Sequence, residues 1–67
     1  MVTVLFNGQS HQVKEDSTIT DLLSDAKVEI RFCAVELNLE IVSKDQYLSQ
    51  RLKEGDQIEV VTLVGGG

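Results

Sequence analysis

The sequence predicts one α+β domain in which a helix packs on one face of a β-sheet. Runs with the two-residue period of strands stand near both ends of the chain, and a stretch with the helical period of apolar residues lies between them. This order of elements suits a sheet that carries a helix on one side. A chain of 67 residues forms only a small core, because domains of about 60 residues bury about 60% of the surface that their unfolded chains expose.

The chain is predicted to begin with a β-hairpin. Residues 2–6 and residues 9–13 both have the composition and alternation of strands, and Asn7-Gly8 joins them. An Asn-Gly pair favours a type I′ turn, because both positions of that turn need a positive φ. We therefore expect two antiparallel strands connected by two residues.

A helix is predicted over residues 19–27. Thr18 can cap its first turn, and the side chain of Asp21 can reach back to complete a capping box. Apolar residues then recur at the spacing i, i+3, i+4 and i+7, which places on one face Ile19, Leu22, Leu23 and Ala26. We expect this face to pack on the sheet.

The chain returns to strands after the helix. Residues 32–37 are predicted to form one strand, and residues 39–42 a short second one after a turn at Asn38. Alternation within the first of these strands places on one face Cys33, Val35 and Leu37.

A helical turn and a last strand complete the predicted domain. Ser43 and Gln46 have the spacing of a second capping box, which predicts a brief helical turn at this point. Residues 53–56 are predicted to turn the chain into a strand over residues 57–63. The sheet domain is therefore expected to cover residues 1–63.

The last strand is expected to expose apolar side chains. If Glu59 faces solvent, then Ile58 and Val60 face the core, because strand side chains alternate. The same reasoning turns four residues away from the core, and we predict that they form a contact patch for a partner protein. These residues are Thr3, Leu5, Val61 and Leu63.

The last four residues are predicted to form a flexible tail that carries the chemistry of the chain. Val64, Gly65, Gly66 and Gly67 make a narrow strip, because glycine has no side chain. An α-carboxyl group titrates at about 3.3–3.7, so we expect the Gly67 carboxylate to be an anion at neutral pH. Such an anion can attack an activated phosphate inside another protein's active site. We therefore predict Gly67 as the modified residue.

The composition argues against nucleic-acid and membrane partners. Eleven acidic and six basic residues give a net charge of −5 and a pI near 4.5, and no Arg/Lys stripe with interleaved aromatic residues is present. The apolar runs are much shorter than the roughly 20 residues that span a bilayer, and no secretion signal is expected, so the expected location is cytoplasmic. The acidic surface can attract a basic partner or simply maintain solubility.

The single cysteine and the single histidine add little chemistry. Cys33 is predicted to be a small buried hydrophobe, the alternative being a thiol that carries sulfur or joins a partner. His11 is predicted to be a surface side chain, and nothing in the sequence brings it into reach of Ser10 and Asp16 as a catalytic set. No metal site is expected, since one thiol and one imidazole would need further ligands.

Three parts of the sequence together resemble a known family. They are the run VLFNG at residues 4–8, the run EGDQIEVV at residues 54–61, and the final glycines. Over essentially its whole length the chain is similar to the sulfur carrier proteins of thiamine thiazole synthesis, which have a ubiquitin-like β-grasp fold. The resemblance implies a mixed sheet with one main helix across one face.

The resemblance also implies a role for the Gly67 carboxylate. In that family an adenylating enzyme uses MgATP to activate the terminal carboxylate, and the sulfur of a persulfide donor then displaces AMP to leave a thiocarboxylate. Thiazole synthase takes the sulfur from this group while it assembles the thiazole ring. Because the activating enzyme binds the ATP and magnesium, the chain itself is expected to bind no cofactor and to be a protein co-substrate rather than an enzyme.

Two other functions would use the same tail. The sulfur carrier of molybdopterin synthesis shares the fold and the tail, although it usually has additional segments. A ubiquitin-like modifier would instead join Gly67 to lysine side chains of target proteins. The carriers and the modifier differ in product, which is a thiocarboxylate for the former and an isopeptide bond for the latter.

Overall fold

The computed structural model describes residues 1–62 and contains a five-stranded sheet and one α-helix. The predicted α+β class is therefore confirmed, whereas the predicted boundary between domain and tail lies outside the described residues. The elements in chain order are β1 (Val2–Phe6), β2 (Gln9–Val13), α1 (Ile19–Asp25), β3 (Cys33–Leu37), β4 (Glu40–Val42) and β5 (Gln57–Thr62).

The strands form a mixed sheet in the order β2-β1-β5-β3-β4. The last strand of the chain lies in the centre, where it pairs parallel with β1 and antiparallel with β3. The two outer pairs, β1–β2 and β3–β4, are antiparallel hairpins. Both neighbours of β5 are therefore the first strands of hairpins, and the turns of those hairpins lie beside β5.

The first hairpin agrees with its prediction. Its two strands cover the predicted residues, and Val2 lies opposite Val13 in the register. Asn7 has a φ of 49° and Gly8 a φ of 83°, so both turn positions are in the left-handed region that a type I′ turn requires.

The start of α1 also agrees with its prediction. The backbone N–H of Asp21 donates to Thr18 Oγ1 at 3.2 Å, and the backbone N–H of Thr18 donates to Asp21 Oδ2 at 2.9 Å. These two bonds form the capping box. The backbone N–H of Ile19 is satisfied from outside the helix, because it donates to the carbonyl of Gln50 at 3.1 Å.

The helix ends earlier than the predicted range 19–27. Its last residue is Asp25, and Lys27 has a φ of 60°, which takes the backbone out of the helix. The backbone N–H of Val28 then donates to the carbonyl of Leu23 at 2.9 Å, the bond that characterises a Schellman ending. Since glycine usually occupies the left-handed position of this motif, a lysine there gave no sequence signal for the end.

The two strands after the helix are each shorter than predicted. Phe32 belongs to a 3₁₀ turn over Ile30–Phe32, so β3 starts one residue later. Leu39 belongs to the β3–β4 turn, in which Asn38 has a φ of 52° and Leu39 a φ of 72°. A leucine in the left-handed region is unusual, because its Cβ crowds the backbone there, and the sequence pattern therefore favoured a strand.

The second predicted capping box is wrong. A 3₁₀ turn is present at Lys44–Gln46, as the pattern predicted, but the side chain of Ser43 makes no capping hydrogen bond. The turn is closed instead by the backbone, in which the N–H of Gln46 donates to the carbonyl of Ser43 at 2.9 Å. The Ser-to-Gln spacing therefore marked the place of the turn but not its hydrogen bonding.

The core lies between α1 and the sheet. Most residues that the sequence assigned to it from helix and strand periods are buried, whereas Ala26, Leu37 and Val60 are only partly buried. Tyr47 and Leu52 join the core from the segment between β4 and β5. That segment is tied to the start of the helix, because the backbone N–H of Leu52 donates to the carbonyl of Ser17 at 2.8 Å. The buried apolar residues are Val4, Val13, Ile19, Leu22, Leu23, Cys33, Val35, Tyr47, Leu52 and Ile58.

Candidate functional site

The predicted site lies beyond the end of β5. The tail residues Val64, Gly65, Gly66 and Gly67 lie outside the residues that the structure describes, as does Leu63. The structure therefore describes the element that leads to the site. Three sets of hydrogen bonds hold this strand. One is in the turn just before it, one is at Gln57, and one is at Val60.

The turn before β5 is bonded to β1. The backbone N–H of Gly55 donates to the carbonyl of Thr3 at 2.8 Å, and the backbone N–H of Thr3 donates to Glu54 Oε1 at 2.9 Å. Asp56 Oδ2 closes the turn by accepting from the backbone N–H of Lys53 at 2.8 Å. Gly55 has a φ of 85°, which other residues rarely adopt. The Glu-Gly-Asp run thus sets where β5 begins.

Asn38, in the β3–β4 turn, holds β5 from one side. Its Oδ1 accepts from the backbone N–H of Gln57 at 2.9 Å, and its Nδ2 donates to Asp56 Oδ1 at 3.0 Å. The backbone N–H of Asn38 also donates to the carbonyl of Gln57 at 2.8 Å. One asparagine therefore shapes its own turn and fixes the first residues of the neighbouring strand.

Asn7, in the β1–β2 turn, holds β5 from the other side. The pairing of β1 with β5 ends at Phe6 and Ile58, so the next peptide of β5 has no strand residue opposite it. The side chain of Asn7 replaces that residue, because its Oδ1 accepts from the backbone N–H of Val60 at 2.7 Å and its Nδ2 donates to the carbonyl of Val60 at 3.3 Å. We call this pair of bonds the Asn7 clamp.

The Asn7 clamp is a structural feature beside the candidate site that the sequence analysis does not predict. The turn itself fully accounts for an asparagine at this position, so the sequence contains no separate signal for a second role. The second role depends on β5 lying next to β1, which no local pattern indicates. The clamp bonds the strand two residues before its last described residue, Thr62.

The predicted contact residues on β1 lie away from Val61. Val61 is 61% exposed and Leu5 is 37% exposed, and both side chains are on the sheet face opposite α1, which we call the open face. However, Leu5 lies opposite Gln57, four residues before Val61, which is about 13 Å along a strand. Thr3 lies further back, beside Gly55. The expectation that Thr3 and Leu5 lie close to Val61 is therefore wrong, because β1 ends where the second half of β5 begins.

The open face carries acidic side chains that form no ion pair with a described residue. Glu36 and Glu59 are directly opposite each other in the β3–β5 register, and neither forms an ion pair with any residue in the range 1–62. Like charges in such positions repel. Ile41 lies on the other side of Glu36 and is 79% exposed. This part of the sheet therefore combines negative charge with exposed apolar surface.

Cys33 is a buried side chain, as predicted. It is 1% exposed, and its Sγ lies 3.5 Å from the carbonyl of Ile30, to which the thiol donates. Burial raises the pKa of the Cys33 thiol, and the nearby positive charge of Lys44 opposes part of that increase. A thiol that is enclosed and kept protonated is a poor nucleophile. The alternative, a thiol that carries sulfur, is not favoured by this environment.

His11 is less exposed than predicted. It lies opposite Val4 in the β1–β2 register and so faces the helix side of the sheet, with its ring at the edge of Phe6. Its Nε2 is buried without a hydrogen bond to any described residue, and Asp25 Oδ2 is 3.5 Å away. The prediction of a surface side chain holds only in part, since the His11 side chain is 33% exposed. Its neighbours Ser10 and Gln12 point to the other face and are exposed.

The described part of the chain offers no metal site and no membrane span. Among residues 1–62, no cluster of three or more histidine, cysteine, aspartate or glutamate side chains could hold a metal ion. Within the same range, no helix is sufficiently long and apolar to cross a membrane.

The fold belongs to the ubiquitin-like β-grasp class, with a mixed five-stranded sheet and one helix across it. The model of the ThiS family matches residues 4–67, and the chain belongs to that family. A crystal structure of the thiamine biosynthesis protein ThiS from Geobacter metallireducens superposes with a TM-score of 0.84 at 32% identity, over 98% of this chain and 100% of that one.

Two kinds of relative are similar in sequence. The sulfur carrier protein ThiS of Bacillus subtilis is 42% identical over 62 residues, which are 91% of this chain and 94% of that protein. A thiazole synthase of Paramagnetospirillum magneticum is 38% identical over 64 residues, and these cover 96% of this chain. The chain spans only about a fifth of that synthase, since the match covers 20% of its length.

Proposed function

We propose that this chain is a sulfur carrier of thiamine biosynthesis and that its Gly67 carboxylate carries the sulfur. The observation that carries the proposal is membership of the ThiS family over residues 4–67, a range that includes the glycines. Relatives in Bacillus subtilis and Escherichia coli that match over most of both chains are named sulfur carrier proteins.

The proposed chemistry converts one carboxylate oxygen into sulfur. The Gly67 carboxylate attacks the α-phosphorus of ATP, pyrophosphate leaves, and an acyl adenylate forms. The terminal sulfur of a persulfide then attacks the acyl carbon and AMP leaves, which gives an acyl disulfide with the donor. A thiol then attacks the donor's sulfur in that S–S bond and forms a disulfide with the donor, and the thiocarboxylate leaves. Glycine suits this position, because it places no Cβ beside the reacting carbon.

The proposal assigns catalysis to partner proteins. An adenylating enzyme would bind MgATP, a persulfide donor would supply sulfur, and thiazole synthase would receive it, all in the cytoplasm. In this scheme the chain is a co-substrate that binds no cofactor of its own. A net charge of −5 supports partners with basic contact surfaces, since opposite charges steer the encounter.

In the proposal, residues 1–63 act as the recognition domain and residues 64–67 as the reactive tail. The contact patch is proposed to include Val61 and Leu63 near the tail. Thr3 and Leu5 would form a separate part of the contact, because of their place along β1. The Asn7 clamp supports the scheme physically, since it fixes the backbone of β5 at Val60 before the tail begins.

The test is intact mass spectrometry of the full chain after incubation with MgATP, a persulfide donor and the cognate activating enzyme. We expect a mass gain equal to the replacement of one oxygen by sulfur, located on Gly67 by fragmentation. The control is the chain without Gly66 and Gly67, which should fold equally well and gain no sulfur. Loading of the shortened chain would contradict the proposal.

Transfer to thiazole synthase distinguishes the carrier from its alternatives. Loaded chain should lose its sulfur when it is mixed with the cognate synthase and its substrates. Transfer of the sulfur to enzymes of molybdopterin synthesis, but not to thiazole synthase, would assign the chain to the molybdopterin pathway instead. Covalent adducts with lysines of other proteins would identify a modifier.

A further inference from the structure

The two hairpins of this protein have the same turn geometry but different residues. In the first turn Asn7 and Gly8 have φ values of 49° and 83°, and in the second Asn38 and Leu39 have φ values of 52° and 72°. Glycine is the favoured residue at the second position, because a Cβ is strained there. The chain therefore uses the favoured residue in one turn and a strained leucine in the other.

Packing within the domain does not explain Leu39. Its side chain is 82% exposed, so it gains little from burial that would offset the strain. Ile41, two residues further along, is 79% exposed on the open face. Strained residues that persist without an internal reason are typical of functional contacts.

The surroundings of the two apolar side chains are acidic. Glu36 lies opposite Ile41 in the register, on the same open face. Glu40 lies between the two apolar residues in the chain, but its pairing with Leu37 turns it to the helix side of the sheet. Glu59 lies next to Glu36 on β5. None of the three carboxylates forms an ion pair with a basic side chain in the described range.

We propose that the β3–β4 hairpin docks on thiazole synthase through Leu39 and Ile41. The complementary surface is an apolar pocket bordered by arginine or lysine side chains, which complement Glu36 and Glu59 on the open face. The synthase is the occupant favoured by the comparisons, because two thiazole synthases contain a segment that matches 96% and 91% of this chain. This inference rests on the proposed function, and it adds the residues of the chain that recognise the synthase.

The main test is the variant Leu39→Gly, which separates folding from docking. Since Leu39 is exposed and has a positive φ, glycine should leave the melting temperature unchanged or raise it. The affinity for purified cognate thiazole synthase, measured by calorimetry with the full chain, should fall about tenfold or more, as expected for a central apolar contact.

Two further variants complete the test of the apolar contact. Ile41→Thr keeps a β-branched residue in the strand and should weaken synthase binding similarly. Leu48→Ser is the matched control, because Leu48 is also 76% exposed but lies outside the hairpin. We expect synthase binding of this control to equal that of the unchanged chain.

The acidic border is tested by salt. The association rate with the synthase should fall as ionic strength rises, and the double variant Glu36→Gln with Glu59→Gln should reduce that dependence. An association rate with the same salt dependence in both proteins would contradict the basic border of the pocket.

The outcomes separate the inference from the proposed function. If the unchanged chain gains sulfur and binds the synthase but Leu39→Gly and Ile41→Thr bind equally tightly, the docking inference alone is overturned. Weakened binding of the activating enzyme alone, or loss of self-association in sedimentation, would also overturn it by identifying another occupant. If the unchanged chain neither gains sulfur nor binds the synthase, the proposed function itself fails.

Discussion

The Asn7 clamp is expected to stabilise the end of β5, and Asn7→Gly tests it. Glycine adopts the φ of 49° without strain, so the turn should survive while both bonds to Val60 are lost. Hydrogen bonds of this kind contribute about 0.5–1.5 kcal/mol each, and exposed ones lie in the lower part of that range. We therefore expect the free energy of unfolding to fall by about 1–2 kcal/mol.

Two measurements check this expectation. For a domain of this size, such a loss lowers the melting temperature by about 5–15 °C. Hydrogen exchange of the Val60 amide should be accelerated more than that of amides in the interior of the sheet, because the clamp bonds that amide directly at 2.7 Å. Asn7→Asp keeps the acceptor for this N–H and loses only the 3.3 Å bond, so its effect should be intermediate.

Asn38→Gly is the matched control, since it removes the equivalent asparagine from the other turn. It should also lower the free energy of unfolding, because it breaks side-chain bonds to Asp56 and Gln57. However, it should not accelerate hydrogen exchange of the Val60 amide relative to amides in the interior of the sheet. If Asn7→Gly melts at the same temperature as the unchanged chain and Val60 exchanges at the same rate, the clamp does not hold β5.

Two further predictions concern the core. Leu23 is fully buried under the sheet, so Leu23→Ala should lower the free energy of unfolding by about 2–5 kcal/mol, and an unchanged midpoint in urea denaturation would contradict the packing. Burial raises the pKa of the Cys33 thiol in the folded state, so its contribution to stability is complete below the ordinary value of about 8.5 and is lost as the pH rises above it. The melting temperature of the unchanged chain should therefore fall as the pH is raised through the alkaline range, and that of Cys33→Ala should fall less steeply. Equal slopes of melting temperature against pH in the two proteins would exclude Cys33 as the source of the decline. The pKa of Tyr47 is also raised, first by burial and then by the nearby Cys33, and it adds a second decline at higher pH.

Local patterns were sufficient to predict most of the elements. Strand alternation, the Asn-Gly turn and the helical period are properties of neighbouring residues, and each corresponds to an element in the structure. Thr18 and Asp21 formed their capping box because both partners lie within one turn of the chain. Two element boundaries were missed because an unusual residue occupied a special conformation, as Lys27 and Leu39 do with positive φ.

Tertiary structure alone decided how the predicted site is held. The central place of β5 depends on pairing between residues more than fifty positions apart, as in the bonds between Asn7 and Val60. No sequence period reports such pairing, because its free energy comes from contacts that exist only after the chain has folded. The same pairing separates Thr3 and Leu5 from Val61, although all three side chains lie on the outward face of the sheet, as the alternation predicts. Alternation fixes the face of a side chain, whereas strand order and register fix its neighbours on that face.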